Sequence, residues 1–268
     1  MDTNVSIDPP DFPIAEFPTE RIGGVPIAAL DRARTARLVV DTALAARRTA
    51  RPPAIFTSAN GQVLSLVARR AGRETADLLS AADMISADGQ SLVFASRFFG
   101  QGTVRERCAT TDLFHDVAEL ASAEEVSFYI LGSSADENAK AVSNVRKLYP
   151  NLRLAGSHHG YFATREDEER IIEEIGRLSP DILWICMGFP RELEFSVRWR
   201  KSLNSVGVIK TSGGLLNFLS ETNSRAPRWM QSAGLEWSYR LALEPRRLFL
   251  RYLTTNIHAA WLLVSRTN

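Results

Sequence analysis

Short apolar runs alternate with longer amphipathic stretches from residue 54 to residue 210, and this alternation constrains the fold more than any other feature of the chain. Ala54-Ile55-Phe56-Thr57, Met84-Ile85-Ser86-Ala87 and Val126-Ser127-Phe128-Tyr129-Ile130-Leu131 have strand length and strand composition. So do residues 152–155, the stretch 181–187, apolar throughout after Asp181, and Gly207-Val208-Ile209-Lys210. The intervening segments carry apolar residues at helical spacing, which predicts helices from about Val63, then over 74–81, 90–99, 112–122, 135–149, 166–178 and 193–203. Strand, turn and helix repeated in this way predict an α/β fold, a doubly wound, mostly parallel, Rossmann-like sheet with helices on both faces.

The flanks differ from this core. Residues 1–19 place Pro9, Pro10, Pro13 and Pro18 among acidic residues and read as a flexible tail. Residues 20–222 form the predicted α/β unit. It opens with a short hairpin over 21–27 and a helix over 31–48 that has Ala36, Val39, Val40 and Ala43 on one face and Asp31 in its first turn. Beyond Gly213-Gly214 no clear strand recurs. Residues 223–268 interleave arginines with Trp229, Trp237, Tyr239, Phe249, Tyr252 and Trp261, which predicts an appendage of two or three helices.

Composition narrows the function classes. With 45% hydrophobic and 24% charged residues the 268-residue chain reads as a soluble globular protein. A net charge of +1 argues against a nucleic-acid partner. Cys108 and Cys186 are far apart and carry no CxxC spacing, which indicates neither a disulfide framework nor a zinc site and fits a reduced cytoplasmic setting. No apolar run approaches the roughly 20 residues that span a bilayer, and the N-terminus lacks the pattern of a signal peptide. Any membrane contact is then expected to be peripheral.

Asp88 is the leading candidate for chemistry. It ends the apolar run Met84-Ile85-Ser86-Ala87 and precedes Gly89, so it stands at the mouth of a strand, where α/β proteins bind their ligands. The competing reading makes it the N-cap of the helix that follows. Thr57 and Asn60 sit at a second strand mouth. Gly132-Ser133-Ser134 before a helix is either a phosphate-binding turn or a plain strand-to-helix turn, since it has neither the dinucleotide fingerprint nor a P-loop. His158-His159 suggest a metal site but lack a third ligand nearby in sequence, so no metal is assigned. No Asp-x-Asp pair occurs, and a bound diphosphate would then be neutralised by Arg, Lys or backbone donors. The tail arginines are either solvated residues over a small aromatic core or a surface for phosphate and anionic lipid.

Thr57-(x)2-Asn60, Ser86-Ala87-Asp88-Gly89, Thr111-Asp112-Leu113, Gly160-Tyr161-Phe162, Met187-Gly188-Phe189-Pro190-Arg191, Gly213-Gly214, Arg225-Ala226-Pro227 and the run from Gly234 to Tyr252 together resemble the WecG/TagA/CpsF family of bacterial glycosyltransferases. The resemblance runs from about Arg21 to the C-terminus. It implies an inverting, metal-independent, cofactor-free transfer from a UDP-sugar to a polyprenyl-diphosphate-linked glycan in exopolysaccharide or cell-surface glycan assembly. It makes Asp88 the general base and places Thr57 and Asn60 beside the substrate. Gly89, Gly132, Tyr161, Gly188 and Pro190 join them as candidate substrate contacts. Arg225, Arg228 and Arg240 are candidates for the diphosphate and the inner-leaflet surface. The sequence departs from the family pattern at Glu192-Leu193, where Gln-Glu is usual, at Thr110, where Gly is common, and at Glu221, where Gly is frequent. Two further readings remain at this stage: a non-catalytic nucleotide-sugar-binding scaffold subunit, and a hydrolase releasing UDP without an acceptor. The sequence leaves donor sugar, acceptor glycan and homo-oligomerisation open.

Overall fold

The computed structural model describes residue 14 and residues 16–48, 51–69 and 73–268, apart from the side chains of Arg247, Leu248 and Arg251. Most of the expected tail over 1–19 lies outside the described residues, and Thr19 already belongs to the first strand. That strand, β1 (Thr19–Ile22), pairs antiparallel with β2 (Val25–Ala28) as the predicted hairpin. Helix α1 (Arg32–Ala46) follows, and Asp31 is its N-cap rather than a first-turn residue, its carboxylate accepting the Arg34 N–H at 2.7 Å.

The main sheet has six strands, all parallel, in the order β4-β3-β8-β7-β5-β6. In chain order β3 (Ala54–Ala59) leads through α2 (Gly61–Val67) and α3 (Arg73–Ser80) to β4 (Met84–Ala87). Helices α4 (Gln90–Phe99) and α5 (Thr110–Ala123) then carry the chain across to β5 (Ser127–Gly132). Next come α6 (Ala135–Leu148), β6 (Arg153–His158), α7 (Arg165–Leu178), β7 (Ile182–Cys186) and α8 (Arg191–Trp199). A 3₁₀ turn over Arg200–Leu203 leads to β8 (Val208–Thr211). Two stretches differ from the sequence reading. Gly156, Ser157 and His158 extend β6 rather than forming a turn, and the helix expected over 193–203 tightens into that 3₁₀ turn after Trp199.

The sheet is covered on both faces, and each face has its own apolar layer. One holds α1, α5, α6 and the short α9 (Leu215–Leu219), where Phe114 meets Trp184 and Phe128 edge to face at centroid distances of 4.9 and 5.9 Å and the Phe128 and Trp184 rings lie tilted at 5.6 Å. The other holds the hairpin with α2, α3, α4, α7 and α8. Residues 223–268 form α10 (Arg228–Ser232), α11 (Glu236–Leu243) and α12 (Pro245–Ser265). Helix α12 packs back over α2 and α4 and buries Thr255, Ala259, Leu262 and Leu263. Its end is stitched to the hairpin: the Gly24 N–H donates to the Arg266 carbonyl at 2.8 Å, and the Asn268 N–H to the Arg21 carbonyl at 3.1 Å. Among the described residues no helix is long and apolar enough to cross a membrane.

Glu20 on β1 fixes the hairpin to the loop after α4. Its buried carboxylate accepts from Ser96 Oγ at 2.7 Å, from the N–H groups of Gln101 and Thr103 at 2.8 and 3.0 Å, and from Thr103 Oγ1. Burial works to raise its pKa, but the donors of Thr103, Ser96 and Gln101 outweigh burial and hold it below the usual glutamate range. A depressed carboxyl stabilises the fold above its unfolded pKa, and that contribution is lost as pH falls through the folded value. Glu20→Ala leaves these donors without an acceptor, and the expected loss is about 3 kcal/mol in urea unfolding near neutral pH. The deficit relative to wild type should shrink as the pH is taken below the folded-state pKa of Glu20.

Candidate active site

The site lies where the winding of the sheet reverses. After β3 the chain leaves toward the face of α2, and after β8, its neighbour in the sheet, it leaves toward the face of α9. The carboxyl ends of two such strands open a crevice between them. Here it is a cavity of about 700 Å³ lined from β3, β4, β7 and β8 and roofed by α11 and α12.

Asp88 stands on its wall, immediately after β4. The cap reading is overturned, because Gly89 is the N-cap of α4 and no side chain caps that helix. The Asp88 N–H is tied to the Ala59 carbonyl at 2.8 Å, which fixes the backbone to β3. The carboxylate accepts from Thr110 Oγ1 at 3.2 Å and pairs with Arg107 at 3.5 Å, keeping 23% side-chain exposure. Burial in the crevice pushes its pKa up, against the opposing charges of Arg107, Lys210 and Arg240.

Behind Asp88 runs a chain of donors. Lys210, fully buried on β8, donates from Nζ to Ser58 Oγ at 3.0 Å and to the Thr211 carbonyl at 2.7 Å. Ser58 Oγ lies 3.1 Å from Thr110 Oγ1, whose single proton goes to Asp88. Ser58 Oγ also lies 3.0 Å from Ser86 Oγ, and since a hydroxyl has one proton, the row runs from ammonium to carboxylate when Ser86 donates and Ser58 gives its proton to Thr110. Burial pushes the Lys210 pKa down, opposed by Cys108, Glu192 and Asp88.

The roof supplies a second charged group. Glu236 at the start of α11 accepts from Arg107 at 2.7 Å and pairs with Arg240, one turn later, at 3.4 Å. Arg240 also lies over the Phe218 ring at 5.0 Å. Arg107 therefore bridges the wall and the roof, with its Nε buried and without a hydrogen-bond partner.

The other sequence candidates separate into two groups. Asn60, Gly89, Gly188 and Arg240 line the cavity with Asp88. Asn60 is also the N-cap of α2, where its Oδ1 accepts from the N–H groups of Gln62 and Val63, leaving its amide nitrogen as the group it can offer a ligand. The rest stand off the cavity wall. Thr57 is buried beneath it and bonds Thr211 at 2.7 Å. Gly132 ends β5 at a φ of 138°, where an added Cβ would come within 2.3 Å of the Cys186 carbonyl oxygen, so this glycine serves strand packing. Tyr161 is exposed beside Arg191, and Pro190 is the N-cap of α8. Arg225 is held by Asp112 and by Gln231 at 2.7 Å, and Arg228 is exposed at the start of α10. Arg107 and Lys210 were missed by sequence reasoning, while Glu192 entered it only as a departure from the family pattern and Glu236 only within the run from Gly234 to Tyr252. A lysine in the apolar run Val208-Ile209-Lys210 was the one available signal.

An acid with arginines beside it, at the switch point of a parallel sheet, is an arrangement of an α/β protein that suits an anionic ligand next to a carboxylate. The model of the glycosyl transferase WecG/TagA/CpsF family matches residues 20–268, and the chain belongs to that family. Among its relatives is the N-acetylglucosaminyldiphosphoundecaprenol N-acetyl-beta-D-mannosaminyltransferase of Bacillus subtilis (strain 168), 30% identical over 178 residues, covering 65% of this chain and 66% of the relative. Proteins of the same name from Bacillus spizizenii and Staphylococcus aureus (strain MRSA252) are 28% and 27% identical, over 63% and 64% of this chain and 64% and 66% of theirs. The matched stretch thus spans slightly less than two thirds of each relative's length.

Proposed function

We propose that the protein is an inverting, metal-independent glycosyltransferase that moves a sugar from a UDP-sugar to a polyprenyl-diphosphate-linked glycan in bacterial exopolysaccharide or cell-surface glycan biosynthesis. The supporting observation is the Asp88 carboxylate, open to the cavity and backed by Thr110, Ser58 and Lys210. Asp88 takes the proton of the acceptor hydroxyl as that oxygen bonds to the anomeric carbon. The bond from that carbon to the diphosphate oxygen breaks on the opposite face, so configuration inverts and UDP leaves with the electron pair. Arg107 and Arg240 are placed to stabilise the charge on the leaving group. The relatives' names motivate the choice of acceptor. The test is a screen of UDP-sugars with a lipid-linked acceptor, read by mass spectrometry. Release of UDP without acceptor would mean a hydrolase, and binding without turnover would mean a scaffold subunit.

Transfer is expected to persist in EDTA. Among the described residues no group of three or more His, Cys, Asp or Glu is placed to hold a metal ion, and arginines occupy the crevice instead. Loss of activity with EDTA, restored by Mg²⁺ or Mn²⁺, would overturn this.

The same reading places the protein at the cytoplasmic face of the membrane. Leu250, Leu253, Ile257, Trp261 and Val264 are exposed in steps of three and four along the outer side of α12, with Arg266 over the Trp261 ring. Binding to phosphatidylglycerol vesicles is expected, and it should weaken with added salt. Ile257→Asp should reduce it without unfolding the chain. Deleting residues 223–268 is a poor test, because it would also strip Leu262 and Leu263 from the core.

A further inference from the structure

The crevice is charged differently at its two ends. Toward the roof stand Arg107 and Arg240, paired with Asp88 and Glu236, and between the ends of β7 and β8 stands Glu192, nearly fully buried yet on the cavity wall and without an ion-pair partner among the described residues. Its Oε2 accepts the Gly213 N–H at 2.8 Å and the Gly188 N–H at 3.1 Å. Gly188 and Gly213 have φ values of 79° and 54°, and a Cβ added to either would meet nothing within 4 Å, so the space above them is open. Backbone amides at strand ends beside glycines are natural seats for phosphate. Here a carboxylate of the protein already occupies both.

Two consequences follow from this placement. A diphosphate seated at this end would have to approach a buried anion, which is unfavourable at low effective dielectric. Asp88 and Glu236 at the roof end are each paired with an arginine, whereas Glu192 has no ion-pair partner among the described residues, so the diphosphate is placed toward Arg107 and Arg240 and the Glu192 end receives the neutral, hydroxyl-bearing part of the ligand. Burial pushes the Glu192 pKa up, and the Gly213 and Gly188 amides and the Lys210 charge oppose it; in its ionised form the carboxylate only accepts hydrogen bonds, and an acid at a strand end is well suited to the hydroxyls of a ribose or hexose. A glutamine, the usual residue of the family pattern at this position, would accept the same two amides but would present an NH₂ donor to the cavity.

We infer that Glu192 is a specificity-determining residue: it accepts a hydrogen bond from a hydroxyl of the bound nucleotide sugar and orients that ligand with its diphosphate toward Arg107 and Arg240. The inference rests on the proposed use of a UDP-sugar. It leaves two sources for the hydroxyl, the ribose and the transferred sugar, and the test separates them.

Calorimetry on the full chain with UDP, 2′-deoxy-UDP and UDP-sugars, for wild type and Glu192→Gln, provides that test. The glutamine keeps the anchor to the Gly188 and Gly213 amides, so a purely structural role leaves affinity unchanged. The expected result is a loss of about tenfold or more in Glu192→Gln, the value of one hydrogen bond to a charged group. If the hydroxyl is on the ribose, affinity for UDP itself falls in the variant, and where it is the 2′-hydroxyl wild type loses the same factor with 2′-deoxy-UDP while the variant loses nothing further. If it is on the sugar, affinity for UDP is unchanged and affinity for the UDP-sugar falls. A variant that melts like wild type and binds every one of these ligands within twofold of wild type overturns the inference alone. A wild-type protein that binds none of them overturns the glycosyltransferase reading and this inference with it.

Discussion

Asp88→Asn is expected to lower turnover by about 10²- to 10⁴-fold, the usual contribution of a general base, while affinity for UDP stays close to that of wild type. The amide fills the same volume but cannot take the acceptor proton. Burial raises the Asp88 pKa, and the base works only when ionised, so wild-type turnover should fall as pH drops through a value above the ordinary aspartate range. That acid limb should be missing from whatever activity the variant retains. Stability should move the other way. A carboxyl whose folded pKa is raised costs stability once it is ionised, so the neutral variant should melt at or above the wild-type temperature near neutral pH. Near-normal transfer by a folded Asp88→Asn protein would remove this residue from the mechanism.

Arg107→Gln carries the second large effect. The guanidinium touches both Asp88 and Glu236, and it lines the cavity where the leaving diphosphate develops charge. Removing one such electrostatic partner typically costs about 10²-fold in turnover. The pH profile distinguishes this from general damage. Arg107 is the largest charge holding the Asp88 pKa down, so its loss should move the acid limb of turnover to higher pH. A loss of rate with the limb unmoved would make Arg107 a binding residue with no hold on the base.

The fold was legible because periodicity is local. Strands such as Phe128-Tyr129-Ile130-Leu131 declare themselves within six residues, and α4 begins and ends at the predicted residues, 90 and 99. Asp88 was legible for the same reason, being a polar residue at the end of an apolar run. What surrounds it was not. Arg107 lies in a stretch without period between α4 and α5, and its meaning comes from α11, which is 129 residues away in the chain at their hydrogen bond. Lys210 reads as an irregularity in an apolar strand until β8 is seen beside β3. Glu192 looks like one more acid in a charged helix, because the amides it binds belong to the ends of two different strands. Such contacts follow from tertiary packing, which a local pattern does not contain. The short helix α9 was missed too, since five residues are too few to show a helical period.

The pairing of β3 with β8 also orders events in time. Thr57 and Thr211, which meet at the floor of the crevice, are 154 residues apart. At synthesis rates of 5–20 residues per second the second is made roughly 8–30 s after the first. During that interval β3 can pair with β4, but its other edge has no neighbour, and neither the crevice nor the ammonium of Lys210 behind Asp88 exists. A chain still growing through the helices before β8 thus carries its candidate base without the pocket that would make it one, and ligand can stabilise only molecules that have closed the sheet.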